Sequence, residues 1–490
     1  MAETSGIKPK SIKANYIYNM AYEVLALLTP LITTPYISRV LGADGVGIYS
    51  YTYSIAQYFV LLGNLGVMTY GQMVIAACRE DREETSRAFY ELWVLRFITM
   101  MISFVIYMSI SFVCVEYRPA RIIMGIFVFA AAFDLTWLFR GIEDFSKIVI
   151  RNSIVKIALI AMIFLFVKEA DDVYLYIFFV AMSTFLGNIV FIFSAKGILC
   201  RVPLKSLHIK RHIKPTLVFL VPTIATSVYT VLDKTMLGIL TDGTAENGYY
   251  EQAHKIEQVL LVIITSLNTI MRSRMSFLYQ QGRLDEMKTR FNRSVGFISA
   301  VAIPMAAGLV GTASNFIPLF LGTGFEESIV LLKIFAFLLI IIGLSNCLNT
   351  HFLGPSGRQG KNNYVLVAGA ALNFFFNLMM IPKFGAVGAA IGSVLAEFII
   401  LIGYLFLIRD FFQVKTLIKM AWKYVVAGLI MGIAVAYIGD MSGNVVLVLA
   451  LQVCSGVLIY AGIVLLLRDR LALDTIKQAV GKARQKIKAA

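Results

Sequence analysis

At 490 residues, 59% hydrophobic and only 15% charged, with mean hydropathy +0.78 and a net charge of +15, the chain lies far from the roughly 25% charged residues of a soluble domain. Its long apolar runs exclude a membrane β-barrel, whose strands alternate over about ten residues. Five scattered cysteines (Cys78, Cys114, Cys200, Cys347 and Cys454) form no CxxC pair, which excludes a disulfide framework or a zinc site.

In chain order, Met1 to Lys13 is polar, and the first apolar run carries Tyr, Asn and Glu23, so a cleavable leader is not expected. A helix needs about 20 apolar residues to cross a hydrocarbon core of roughly 30 Å. Such runs lie near 15–38, 46–76, 88–115, 120–139, 148–168 and 173–195. Eight more follow near 216–240, 248–271, 294–321, 327–353, 363–381, 385–408, 421–439 and 444–467. Lipid-exposed backbone must satisfy its own hydrogen bonds, so each run is expected to be helical. The expected fold is an all-α integral membrane protein of about fourteen transmembrane helices. Pro30 and Pro35 in the first helix and Pro222 in the seventh are expected to interrupt them.

The segment 196–215, KGILCRVPLKSLHIKRHIKP, has six basic residues and no acidic ones. It reads as a cytoplasmic linker between an N-terminal six-helix bundle, 1–195, and a second, 216–409. Two additional helices occupy 410–467 and a basic tail 468–490. In that tail Leu473, Ile476, Val480 and Ile487 have the spacing of a short amphipathic helix.

With the N-terminus inside, 34 of the 44 Lys and Arg lie in or beside the segments on that side, five lie opposite and five lie within helices. This asymmetry sets both termini in the cytoplasm. It also assigns the positive charge to basic loops on a membrane surface, with no nucleic-acid partner. Outer loops reach at most about ten residues by the same reading, too short to carry the catalytic groups of an extracytoplasmic enzyme.

The two halves repeat weakly. GIYSYTYSIAQ from Gly47 and GYYEQAHKIEQ from Gly248 share Gly47/Gly248, Tyr49/Tyr250, Ile55/Ile256 and Gln57/Gln258 at an offset of 201. Each opens the second helix of its half, so the six-helix bundles are expected to be related by a pseudo-twofold axis along the membrane normal.

Ionisable groups within spans cost about 2.5–3.5 kcal/mol each on insertion scales and call for a reason. Glu251, His254, Lys255 and Gln258 share one helix face. Thr265 continues that face, and the offset counterpart is the polar stripe of Ser50, Tyr53, Ser54, Gln57 and Asn64. A shared water-filled cavity accounts for both faces, whereas an i, i+4 Glu251–Lys255 pair is the structural alternative. Lys234, Arg96 and Lys156 are further cationic candidates, each of which could instead snorkel to an interface. Among acids, Glu397 with Asn373 and Asn377, Asp134, Asp233 and Glu23 (after Asn15 and Asn19) are candidates for ion coupling, against structural hydrogen bonding. GPSGRQGK from Gly354 has the wrong spacing for a phosphate loop and lacks its Ser/Thr, and neither HExxH nor GxSxG occurs.

Several segments together resemble the polysaccharide (O-antigen and capsule repeat-unit) flippases of the multidrug/oligosaccharidyl-lipid/polysaccharide exporter superfamily. They are TPLITTPYISRVLGADGVGIYSY from Thr29, WLFRGIEDF from Trp137 with the following IVIRN, VLDKTMLGIL from Val231, GYYEQAHKIEQ from Gly248 and FGAVGAAIGSVLAE from Phe384. The resemblance implies two six-helix bundles around a cationic cavity in the bacterial cytoplasmic membrane. It implies no enzyme activity and no cofactor. The implied function is flipping an undecaprenyl-diphosphate-linked oligosaccharide from inner to outer leaflet by alternating access, driven by a proton or sodium gradient, alongside other polysaccharide assembly proteins. Lys234 in the Asp-Lys motif matches a family position, Lys255 is the next candidate, and Arg39 in PYISRVLG a third. Arg272-Ser273-Arg274 departs from the Leu-Pro-Arg turn of such proteins. A multidrug antiporter and a peptidoglycan lipid precursor flippase are the alternatives within the superfamily. A membrane-embedded polymerase is the alternative of another class.

Overall fold

The computed structural model describes residues 12–469. Among them every regular element is helical and no strand occurs. Ten helical stretches are long and apolar enough to cross a bilayer, and a further bent stretch in α9 (Ala245–Gln280) brings the number to eleven.

Two of those stretches are too long for one crossing. The 53 residues of α1 (Ile12–Asn64) would extend about 80 Å as one helix, more than twice the hydrocarbon thickness. The chain breaks at Gly42, with φ 65° and ψ −176°, a conformation open to glycine and strained for other residues. The 49-residue α12 (Gln359–Leu407) breaks in the same way at Gly385, with φ 54° and ψ −134°. The expected interruption at Pro30 and Pro35 is corrected: both lie inside α1, which continues helical through them to Gly42. A membrane helix can lose a proline's N–H bond and remain helical where neighbours re-satisfy the freed carbonyl. A left-handed glycine redirects the backbone itself.

α2 (Val67–Cys78) continues the second crossing. Asp81 Oδ1 accepts from Glu83 N at 2.8 Å and Glu84 N at 3.1 Å, capping α3 (Arg82–Val113). The expected fourth helix is broken into α4 (Arg118–Ala131) and α5 (Thr136–Gly141). α6 (Phe145–Phe166), α7 (Val173–Ala195) and α8 (Lys210–Leu240) precede α9. Then come α10 (Leu284–Phe320), α11 (Glu327–Leu348), α12, α13 (Val414–Gly439) and α14 (Val445–Leu466). With α1 and α12 each halved, all fourteen expected segments are helical.

The chain forms two compact units, Met1–Glu251 and Gln252–Ala490. In the first, α8 packs on α1 and α2. The basic linker is strapped along the start of α3. Arg82 Nε donates to Ile198 O at 2.9 Å, Cys200 N to Ser86 Oγ at 2.9 Å, and His208 N to Glu91 Oε1 at 2.7 Å. In the second unit α13 and α14 dock on α10. Asn315 Nδ2 donates to Gly439 O at 3.0 Å, and Gln452 Nε2 to Val435 O at 2.8 Å and Gly311 O at 3.2 Å. The side chains of Asn15, Asn19, Glu23 and Pro222, and the tail positions from Leu473 to Ile487, lie outside the described residues.

Candidate functional site

A buried ion pair joins α8 to the start of α9 in the first unit. Lys234 Nζ lies 2.6 Å from Glu251 Oε2, with the side chains 16% and 7% exposed. Ser50 Oγ, on the second half of α1, donates to the same carboxylate oxygen at 3.0 Å. An ammonium and a carboxylate removed from water hold together when geometry is close and a further hydrogen bond serves the carboxylate. Here Ser50 supplies it. Beside the pair, Tyr250 donates to Asp233, and the Ser54 and Thr235 hydroxyls meet at 2.8 Å. Asp233 is therefore engaged by a phenol at the wall of the site.

Three helices converge here because glycine lets their backbones touch. A Cβ at Gly47 would stand 1.8 Å from Thr244 O, and one at Gly248 would stand 2.0 Å from Ala43 O. These contacts are reciprocal, since Ala43 and Thr244 are themselves 201 positions apart, as are Gly47 and Gly248. A local twofold relation between the two helix starts produces this pairing, and it fits the expected repeat.

Tyrosines flank the cluster. Tyr49 stacks on Tyr53 at 5.5 Å between centroids and meets Tyr176 of α7 edge-on at 5.0 Å. All three lie within Coulombic range of Glu251. Gln57 Nε2 donates to Tyr53 Oη, which orients both groups. Such an assembly offers one cation, one exchangeable carboxylate and several aromatic hydroxyls. It can bind an anion at the ammonium and a polyol against the phenols. Among the described residues no cluster of three or more His, Cys, Asp or Glu could hold a metal ion.

The remaining sequence candidates divide. Arg96 is 1% exposed and does not snorkel. Its Nε donates to Asn64 Oδ1 at 2.8 Å, Nη2 to Ala131 O at 2.8 Å and Nη1 to Asp134 O. Asp134 Oδ1 in turn accepts from Thr136 N at 2.9 Å and from its hydroxyl. These five residues hold the α4–α5 break, where carbonyls freed by the broken helix require donors. In the second unit, His254 Nδ1 lies 3.3 Å from Glu257 Oε2 and its ring packs on Phe335, while Gln258 Nε2 donates to Glu257 Oε2 at 3.1 Å. Lys255 is half-buried one position after His254, Lys156 is half-buried on α6, and Arg39 is exposed three residues before Gly42. Glu397 is 7% exposed on the second half of α12. Nearby in that helix pair, Asn373 Nδ2 donates to Ser393 Oγ and Asn377 Nδ2 to Asn373 Oδ1, both at 3.3 Å.

Sequence reasoning missed Tyr176, which lies on a helix without charged residues, and the cluster around Glu91. Glu91, fully buried, accepts from Arg211 Nε at 2.9 Å and from His212 Nε2 at 2.7 Å, while Tyr70 Oη lies 3.0 Å from His212 Nδ1. An acid three residues into an expected span and a histidine in a basic linker gave a signal, but only in combination.

Residues 12–271 match the polysaccharide biosynthesis protein family. A candidate O-antigen transporter of Escherichia coli (strain K12) is 21% identical over 405 residues, covering 82% of this chain and 97% of that protein. Among solved structures, the lipid II flippase MurJ in an inward closed conformation superposes with a TM-score of 0.71 at 15% identity, over 93% of this chain and 99% of that one. An inward-facing multidrug resistance MATE family transporter gives 0.59 at 16% identity, over 80% and 96%. The resemblance drawn from the motifs is borne out: the chain belongs to the polysaccharide biosynthesis protein family and has the membrane-transporter fold of the multidrug/oligosaccharidyl-lipid/polysaccharide superfamily.

Proposed function

We propose that this chain moves an undecaprenyl-diphosphate-linked oligosaccharide from the inner to the outer leaflet of the bacterial cytoplasmic membrane by alternating access, for cell-surface polysaccharide synthesis. Family membership and the name of the Escherichia coli relative support the substrate class. The observation that carries the reading is the buried Lys234–Glu251–Ser50 cluster beside Tyr49, Tyr53 and Tyr176. A diphosphate carries more negative charge than one carboxylate and displaces Glu251 from the ammonium. Glu251 keeps its Ser50 donor during the exchange. The phenols then meet the sugar faces and hydroxyls. When the substrate leaves, Glu251 re-pairs with Lys234 and the empty carrier holds no bare buried cation.

Both termini are cytoplasmic in this reading, from the Lys and Arg asymmetry, and other polysaccharide assembly proteins supply and consume the substrate. Glu397, with Asn373, Asn377 and Ser393, is the candidate site for a coupling proton or sodium ion.

Binding of the diphosphate-linked oligosaccharide, compared with the same oligosaccharide on an uncharged polyprenol, tests the exchange. Wild-type protein should prefer the diphosphate by roughly an order of magnitude or more, as a charge-assisted contact implies. Lys234→Gln/Glu251→Gln should lose most of that preference. An equal preference in the double variant would remove the pair from the binding site.

A further inference from the structure

We propose that the turn between α9 and α10 holds an anionic phospholipid headgroup, at a site separate from the Lys234 cluster. This rests on the membrane-spanning fold and not on what is transported. Between residues 272 and 293 stand six basic residues, Arg272, Arg274, Arg283, Lys288, Arg290 and Arg293, against Asp285 and Glu286. Glu286 is shared among three guanidinium groups, with Arg274 Nη2 at 3.1 Å, Arg290 Nε at 2.9 Å and Arg283 also paired. One carboxylate thus orients three cations and leaves two charges over. Arg293, nearly one turn beyond Arg290, is exposed and makes no ion pair among the described residues.

A cavity of about 510 Å³ opens at this point. Glu286, Thr289, Arg290 and Arg293 line it together with Met271 and Phe297. Arg290, Arg293 and Phe297 follow one another at i, i+3 and i+7, so one face of α10 runs from cationic to apolar. Phe297 is 45% exposed in this apolar stretch. A phosphate ester attached to acyl chains matches that gradient: the phosphate meets the arginines, and the first methylenes meet Phe297 and Met271. A free phosphate would leave the apolar wall unused. Basic pockets between membrane helices, on the side with the basic excess, take anionic headgroups for this reason. An occupant would brace the α9–α10 hairpin at its narrow turn, where Gly282 adopts φ +68°.

The test uses full-length protein carrying Phe297→Trp in phosphatidylcholine nanodiscs. Brominated phosphatidylglycerol is compared with brominated phosphatidylcholine as the quencher, and the signal of the three native tryptophans, measured without the substitution, is subtracted. The introduced indole should be quenched with an apparent affinity on the order of tenfold higher for the anionic lipid. Adding Arg290→Gln and Arg293→Gln should abolish the preference, while Lys at both positions should retain most of it. Equal quenching by the two lipids, or a preference that survives the Gln changes, overturns the proposal. So does displacement of the preference by inorganic phosphate at matched ionic strength, which would mark a small-anion site.

Discussion

Ser50 Oγ and Glu251 Oε2 are 3.0 Å apart and 201 residues apart in sequence, the same offset at which the two halves of the chain repeat. One position thus carries a hydroxyl in the first copy and a carboxylate in the second, and the two meet directly. The repeat is therefore asymmetric where it matters, with the charge on one side only. Lys234 then completes a site that two serines at these positions could not.

Lys234 and Glu251 should behave as a unit. Removing one member leaves the other buried and uncompensated, a loss of about 3–5 kcal/mol for such pairs. Lys234→Ala and Glu251→Ala should each lower the thermal stability of detergent-solubilised protein. The double change Lys234→Gln/Glu251→Gln should recover much of it while leaving transport defective. Additive losses in the double variant would mean that the two side chains stabilise the fold independently.

The crossing at Gly47 and Gly248 should tolerate no Cβ. With carbonyl oxygens at 1.8 Å and 2.0 Å from the added atom, Gly47→Ala or Gly248→Ala must separate the helices. Overpacking of this kind costs about 1–3 kcal/mol. A melting comparison with Gly197→Ala, where nothing stands within 4 Å, provides the control. Equal melting temperatures for all three variants would contradict the close approach.

Arg96 should be structural. Its three donors serve Asn64, Ala131 and Asp134, and Arg96→Met leaves those acceptors unserved at about 1–3 kcal/mol for each buried group. The expected result is a sharp fall in folded protein recovered from membranes. Arg96→Lys should rescue little, because an ammonium lacks the planar fork that reaches three acceptors. Normal yield with lost transport would return Arg96 to the substrate path.

His212 should make stability depend on pH. Burial holds its pKa below the usual histidine value, more than the Glu91 hydrogen bond raises it, and Arg211 adds to the lowering. The neutral ring satisfies both sides, with Nε2–H donating to Glu91 and Nδ1 accepting from Tyr70. Since the folded pKa is depressed, the unfolded chain binds the proton more readily. The contribution is present above the ordinary pKa of about 6.5 and is lost as pH falls through it towards the folded value. His212→Gln should flatten that slope in a melting series, and an unchanged slope would assign the effect elsewhere.

Much of this was legible in sequence because lipid imposes a simple rule. Runs of apolar residues long enough to cross became helices, and Ile55/Ile256 and Gln57/Gln258 marked a repeat whose contacts the structure contains. Partners across helices were not legible. Lys234 is seventeen residues from Glu251, and no helical spacing links them, because their contact depends on where α8 and α9 cross. Arg96 looked like a snorkelling side chain because the sequence does not reveal that α4 ends at Ala131 and frees carbonyls. The prolines of α1 suggested a break that falls instead at Gly42, where only the backbone angle marks it.

The most direct measurement of the central claim is leaflet accessibility in sealed vesicles. Undecaprenyl-diphosphate oligosaccharide is placed on one side and a membrane-impermeant sugar-modifying probe on the other. The account predicts labelling that requires the protein, occurs without leakage, and falls when Lys234→Gln and Glu251→Gln are combined. No labelling of a cognate substrate by active, correctly inserted protein, together with export of cationic dyes, would contradict it.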